Sequence, residues 1–139
     1  TNFQQSYQLK PYGLWFSKNE EWKEFCENEC KYLGEYTYIL DIDFSNILVI
    51  DNVDKLLEFQ HKYKFGGNNL IKKNFINWNN VIKDYSGIYF DNYHEVKYKI
   101  MSKCDSDNIC KFGWFYAVDV NSGCIFNSKC IESIRLVNF

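Results

Sequence analysis

KPYGLWFSKNEEWKEF, residues 10–25, is the stretch on which the reading of the whole chain turns. An apolar run, Tyr12 to Phe16, breaks at Ser17 and restarts at once on a different period. Bounded by Pro11 and Ser17, YGLWF (12–16) reads as a short buried strand. Ser17-Lys18-Asn19-Glu20 matches a capping box, in which the serine hydroxyl takes the amide three residues on and the glutamate returns to the serine amide. Trp22, Phe25, Cys26, Cys30 and Leu33 then recur at helical intervals, and Gly34 is a natural stop. The expectation is a strand, a serine at its tip, and a helix launched from that serine.

Outward from there the pattern alternates between strand and helix. EYTYILDIDF (35–44) alternates with Tyr36, Tyr38, Leu40 and Ile42 on one face, Ser45-Asn46 makes a turn, and ILVI (47–50) reads as a second buried strand. Asp51 or Asn52 can cap a helix carrying Val53, Leu56, Leu57 and Phe59 or Tyr63 as far as Gly66-Gly67, and 68–74 reads as loop. Asn77 can cap a short helix with Trp78, Val81 and Ile82 that stops at Ser86-Gly87, before the strand IYF (88–90). VKYKI (96–100) alternates, CDSDNIC (104–110) is a loop, and WFYAV (114–118) reads as a strand. The turn signal Asn121-Ser122-Gly123 would fold WFYAV back as a hairpin on CIF (124–126). Ile131, Ile134 and Leu136 close the series as a last strand. The class is α+β, with about three short helices early and strands gathered late, in one domain spanning 1–139.

Composition narrows the partners. With 16 basic and 18 acidic residues the net charge is −2, which argues against binding a nucleic-acid backbone, since that needs a basic face. No apolar run approaches the ~18 residues of a membrane span. TNFQQSYQ at the start lacks a signal-peptide layout; beginning on Thr1, the chain reads as a processed form or part of something longer. The six cysteines, at 26, 30, 104, 110, 124 and 130, allow three readings: reduced core thiols, disulfides, or a four-cysteine zinc site. The i, i+4 spacing of Cys26 and Cys30 on an apolar helix face suits the first, and with it an intracellular setting.

In their order, "GLWFS", "YILDIDFSNILVID", "WNNVIKDYSGIYF" and "SGCIFNSKCIESIRLV" resemble the ADP-ribosyltransferase-like fold of toxin-type and phage mono-ADP-ribosyltransferases. The resemblance runs over about residues 10 to 137. It rests on the strand ending in serine (12–17), on Asp84-Tyr85-Ser86-Gly87-Ile88, and on the run from Cys124 through Ile131 to Ile134. It implies a split mixed β-sheet with an NAD-binding cleft between its halves. It further implies transfer of ADP-ribose from NAD, as substrate, to a macromolecular or small acceptor. Under it Ser17 orients the catalytic acid, Tyr12 or Trp15 stacks on nicotinamide, Gly13 shares that strand, and Lys10 can bind a phosphate. The acid itself should lie just before the last hairpin strand, where this chain has Ser122, with Asp119 the nearest carboxylate. A serine cannot do a carboxylate's electrostatic work, and no Arg or His precedes His61. The resemblance therefore admits, as the alternative to a transferase, a non-catalytic nucleotide- or protein-binding domain of the same fold.

Other residues have plainer roles open to them. His94 and Glu95, or Asp41 and Asp43, could serve acid–base or metal chemistry. A surface position explains the first pair more simply, and a strand entering a turn the second. His61 reads as solvated. Asp105-Ser106-Asp107-Asn108 is acidic but lacks the glycine and terminal glutamate of an EF-hand loop.

Overall fold

The computed structural model describes residues 8–29, 34, 36–66, 74–102 and 111–137. The chain is α+β, built on two sheets. Three strands, β1 (Leu14–Phe16), β3 (Ile47–Ile50) and β4 (Gly87–Phe90), join β5 (Ser122–Ile125) in a mixed sheet of order β1-β5-β4-β3. β4 pairs parallel with β3, while β5 runs antiparallel to both β4 and β1. A separate two-stranded ribbon pairs β2 (Thr37–Ile42) with β6 (Ile131–Val137). Helices α1 (Glu21–Asn28), α2 (Val53–Tyr63), α3 (Trp78–Asp84), α4 (Tyr93–Ser102), the single turn α5 (Gly113–Tyr116) and two short 3-10 helices, Phe44–Asn46 and Ser128–Cys130, complete the described elements. None of these helices is long and apolar enough to cross a membrane.

Because side chains alternate along a strand, each face of the main sheet meets a different partner. Ile88 and Phe90 of β4 and Cys124 of β5 face α2 to α5, whose Leu56, Val81, Val96 and Trp114 build the larger core. Tyr89 and Ile125 point the other way, against Leu40, Ile42 and Ile131 of the ribbon, in a second apolar cluster. The larger core is an aromatic lattice, with Trp78 and Trp114 edge to face at 5.8 Å and Phe59 5.3 Å from Trp114. Gln60, the buried polar side chain among the described helical residues, is matched at both ends. Trp114 Nε1 donates to Gln60 Oε1 at 2.5 Å, and Gln60 Nε2 donates to the Lys111 carbonyl at 3.0 Å.

Several expectations are corrected. Ser17 is not the residue from which the helix starts: α1 begins at Glu21, and the intervening turn passes through Asn19 at φ 55°. Glu20 makes no side-chain cap, so the reciprocal half of the box is missing. Ser17 Oγ still accepts from the Trp22 amide at 3.2 Å, serving the helix end from one turn back. WFYAV does not form a strand. Residues 113–116 are the helical turn α5, so the hairpin with CIF does not exist, and β5 instead lies between β1 and β4. Ser122 and Gly123 are strand residues rather than a turn. VKYKI lies inside α4, whose Tyr93, Val96 and Ile100 are buried at helical spacing. Helices thus recur through the chain rather than gathering early. Asn52 does cap α2, its side chain accepting from the Lys55 amide, whereas Asn77 sits before α3 without a side-chain cap bond. The expected loop at 104–110 lies outside the described residues.

Candidate functional site

β1, β3 and β4 run in one direction and β5 in the opposite one, so three strands end and one begins at a single rim of the main sheet. The register pairs Phe16 with Gly123 and Phe90 with Ser122. Continued by one residue, it sets Ser17 beside Ser122. The same rim receives the turn Lys18–Glu20 and the first residue of α1, Glu21.

Side chains from four elements meet there. Asn121 is the link: its Oδ1 accepts from the Tyr93 amide at 2.8 Å, and its Nδ2 donates to Glu21 Oε1 at 3.3 Å. The other carboxylate oxygen, Glu21 Oε2, is buried with no hydrogen-bond partner. Tyr89, 1% exposed, stacks on Phe16 at 5.7 Å and meets the edge of Phe44 at 6.0 Å. Gly123 makes room for this stack, since a Cβ there would fall 2.5 Å from the Phe16 ring. Lys18, itself exposed, lays its Nζ 4.5 Å from the Tyr89 ring centroid and 5.0 Å from that of Phe44. Burial pushes the Tyr89 hydroxyl up to about 12, the charges of Glu21 and Asp91 add to that, and a bond from the Lys18 amide opposes it. Glu21, Lys18, Tyr89 and Phe44 were not among the residues singled out from sequence.

The residues that were singled out fall into two groups. Ser17, Ser122 and Asp119 belong to the rim or its approach. Ser122 is 1% exposed and its hydroxyl donates to the Val120 carbonyl at 2.9 Å, so it faces inward and is engaged. Asp119 turns the chain into β5 at φ 75°. Lys10, Tyr12 and Gly13 precede β1, at its opposite end, and Trp15 is its middle residue, on the face of the larger core. Four residues of extended chain, roughly 13 Å, separate Gly13 from Ser17. There Lys10 Nζ lies 5.4 Å from the Trp15 ring centroid, Trp15 packs partly on the larger core, and Tyr12 is exposed. Gly13 is used internally, because a Cβ would meet the Ile125 carbonyl oxygen at 2.3 Å and Cys124 Sγ at 2.6 Å.

The space between the two sheets, where the resemblance implies a cleft, is filled by the cluster of Ile47, Tyr89, Ile125 and Cys130 with Phe16, Leu40 and Phe44. A ligand of this domain would meet the rim and the outer edge of β1. Elsewhere, shallow depressions of about 320 Å³ beside Asn52 and Lys99 and about 170 Å³ beside His61 and Lys111 are open to solvent.

Among the described residues no three of His, Cys, Asp and Glu gather as a metal ion would require. Cys26, Cys124 and Cys130 are buried free thiols, and burial pushes Cys124 up to about 12. Cys30, Cys104, Cys110 and the acidic run 105–108 lie outside the described residues. Asp41 accepts from the Ser133 hydroxyl across the ribbon, and Asp43 caps the turn at Phe44–Asn46, accepting from the Ser45 amide at 2.9 Å. His61, His94 and Glu95 are exposed. No protein-family model, characterised protein or solved structure matches the chain.

Proposed function

We propose that this chain is an ADP-ribosyltransferase-like domain that binds NAD along the edge strand β1 and at the adjoining rim. In the reaction this reading assigns, the bond between nicotinamide nitrogen and the ribose C1′ breaks. Nicotinamide leaves with the electron pair, and an acceptor nucleophile closes the new bond to C1′ while losing its proton. The observation that carries the reading is the register of β1 against β5. Continued one residue past the Phe16–Gly123 pair, it leads to Ser17 beside Ser122, as the order of motifs requires of residues 105 positions apart. The division of the strands into two sheets and the exposed ring of Tyr12 agree with it.

One observation favours the second reading, a domain of the same kind that binds without turnover. At the position where the resemblance places the acid stands a buried serine already bonded to Val120. A hydroxyl so engaged cannot stabilise the positive charge that grows on the ribose, which calls for a preorganised anion.

Calorimetric titration with NAD, followed by mass detection of nicotinamide, separates the two. Binding with release supports transfer, and binding without release supports the second reading. No heat at millimolar NAD overturns both.

A further inference from the structure

Three features at the rim converge on one spot. The rings of Tyr89 and Phe44 meet edge to face and turn their π-faces toward the same ammonium, that of Lys18. Aromatic faces attract cations by their quadrupole, and Phe16 stacked behind Tyr89 holds that ring in place. Beside them Glu21 holds a buried oxygen with no partner, and its charge reaches the Tyr89 hydroxyl. A buried, unmatched carboxylate oxygen is costly, and in a native protein it is accounted for by strain, by a catalytic role, or by a water or cation bound to it. Lys18 does not satisfy it: the ion pairs among the described residues are Lys55–Asp51, Lys62–Asp84 and Lys99–Glu95.

We propose that Tyr89, Phe44 and Glu21 form a subsite for a flat organic cation, which the Lys18 ammonium fills in the free protein and the positively charged nicotinamide ring of NAD takes over. The identity of the ligand rests on the NAD reading above; the existence of a cation subsite does not. Lys18 sits on an exposed turn, so its side chain can leave without moving the backbone. The two rings then offer faces suited to a planar cation, and Glu21 supplies the countercharge. Reduced NAD, whose nicotinamide ring is neutral, gains nothing from this arrangement. The subsite lies at the Ser17 end of β1, away from Tyr12 and on the opposite sheet face from Trp15.

The test titrates wild type, Lys18→Met and Glu21→Gln with 1-methylnicotinamide, neutral nicotinamide, NAD and reduced NAD. Methionine keeps the apolar stem of Lys18 and removes its charge. Affinity for 1-methylnicotinamide should rise about tenfold in K18M and fall about tenfold in E21Q, the scale of a desolvated cation–π contact. Neutral nicotinamide and reduced NAD should show neither change. Equal cation affinity in all three proteins, or no cation binding in any, overturns the subsite whatever NAD does. A cation response without binding of either form of NAD leaves the subsite standing and removes the NAD reading. Should E21Q fail to fold, K18M decides alone, since its side chain is exposed.

Discussion

Gly13 and Ser17 sit four residues apart on one strand and fail differently when changed. At Gly13 a methyl group would strike backbone, the Ile125 carbonyl, which cannot swing aside as a side chain can. Gly13→Ala should therefore destabilise by about 1–3 kcal/mol, the range for overpacking, seen as a lowered urea midpoint at unchanged slope. At Ser17 only the bond to the Trp22 amide is lost. Ser17→Ala should cost about 1 kcal/mol, as for a helix-capping hydroxyl, and leave NAD binding in place if the cap is its whole role. NAD affinity lost while the midpoint moves only that far would show Ser17 at the ligand.

At the level of elements, α2 meets the turn α5 through a buried hydrogen bond. Trp114 is 2% exposed, and its indole nitrogen is the donor to Gln60 Oε1. Trp114→Phe keeps a ring but leaves that oxygen unmatched in the core. Its cost should reach about 2–4 kcal/mol, combining an unsatisfied acceptor with lost volume. Gln60→Leu in the same background removes the orphan and should recover part of it, which a double-mutant cycle measures.

The same turn explains what sequence could and could not reveal about the elements. ILVI and IYF were legible as strands because each is a short apolar run with a turn signal beside it; YGLWF was legible only in part, since β1 keeps Leu14–Phe16 alone and, at the sheet edge, buries none of them. Asn52 was legible because its cap is local. WFYAV has the same look, yet its rings serve a helical turn against α2, a tertiary choice with no local mark. VKYKI alternates only if Tyr93 is ignored; counted from Tyr93, the buried positions fall at 93, 96 and 100. Ser122-Gly123 carries turn residues, but the glycine is there to admit the Phe16 ring, a partner 107 positions away.

For the molecule as a whole, the aromatic interior has a pH consequence. Tyr89 and Tyr93 are each pushed up to about 12 from 10.0, chiefly by burial, and Tyr63 is raised further by burial and by its bond to Asp84. Cys124 moves from 9.0 to about 12 for the same reason. Between the ordinary and the raised values the unfolded chain has released protons that the folded chain retains, so unfolding is increasingly favoured as pH rises. Stability should hold below about pH 9 and fall steadily from there to pH 12. Melting temperature across that range checks the trend. Phenolate absorbance should show a fraction of the tyrosines ionising only as the fold is lost.

The candidate site was half legible on this scale. The order of the pieces pointed to Ser17 and Ser122, and the strand register, continued past Phe16, leads to the same rim. The Lys18–Glu21 turn and Tyr89 did not stand out, because each has an ordinary local reading: a charged helix start for one, a strand residue for the other. Their signal was positional, two opposite charges three residues apart at the tip of a strand that shares its rim with IYF.

The ribbon of β2 and β6 ties residue 37 to residue 137. On the ribosome, β2 is made early and then waits while nearly a hundred further residues are polymerised before its mate emerges. Until then Tyr38 and Leu40 have no strand beside them, and the smaller apolar cluster stays open to water and to chaperones. Synthesis of β6, long after that of β2, is the event that completes this half of the molecule.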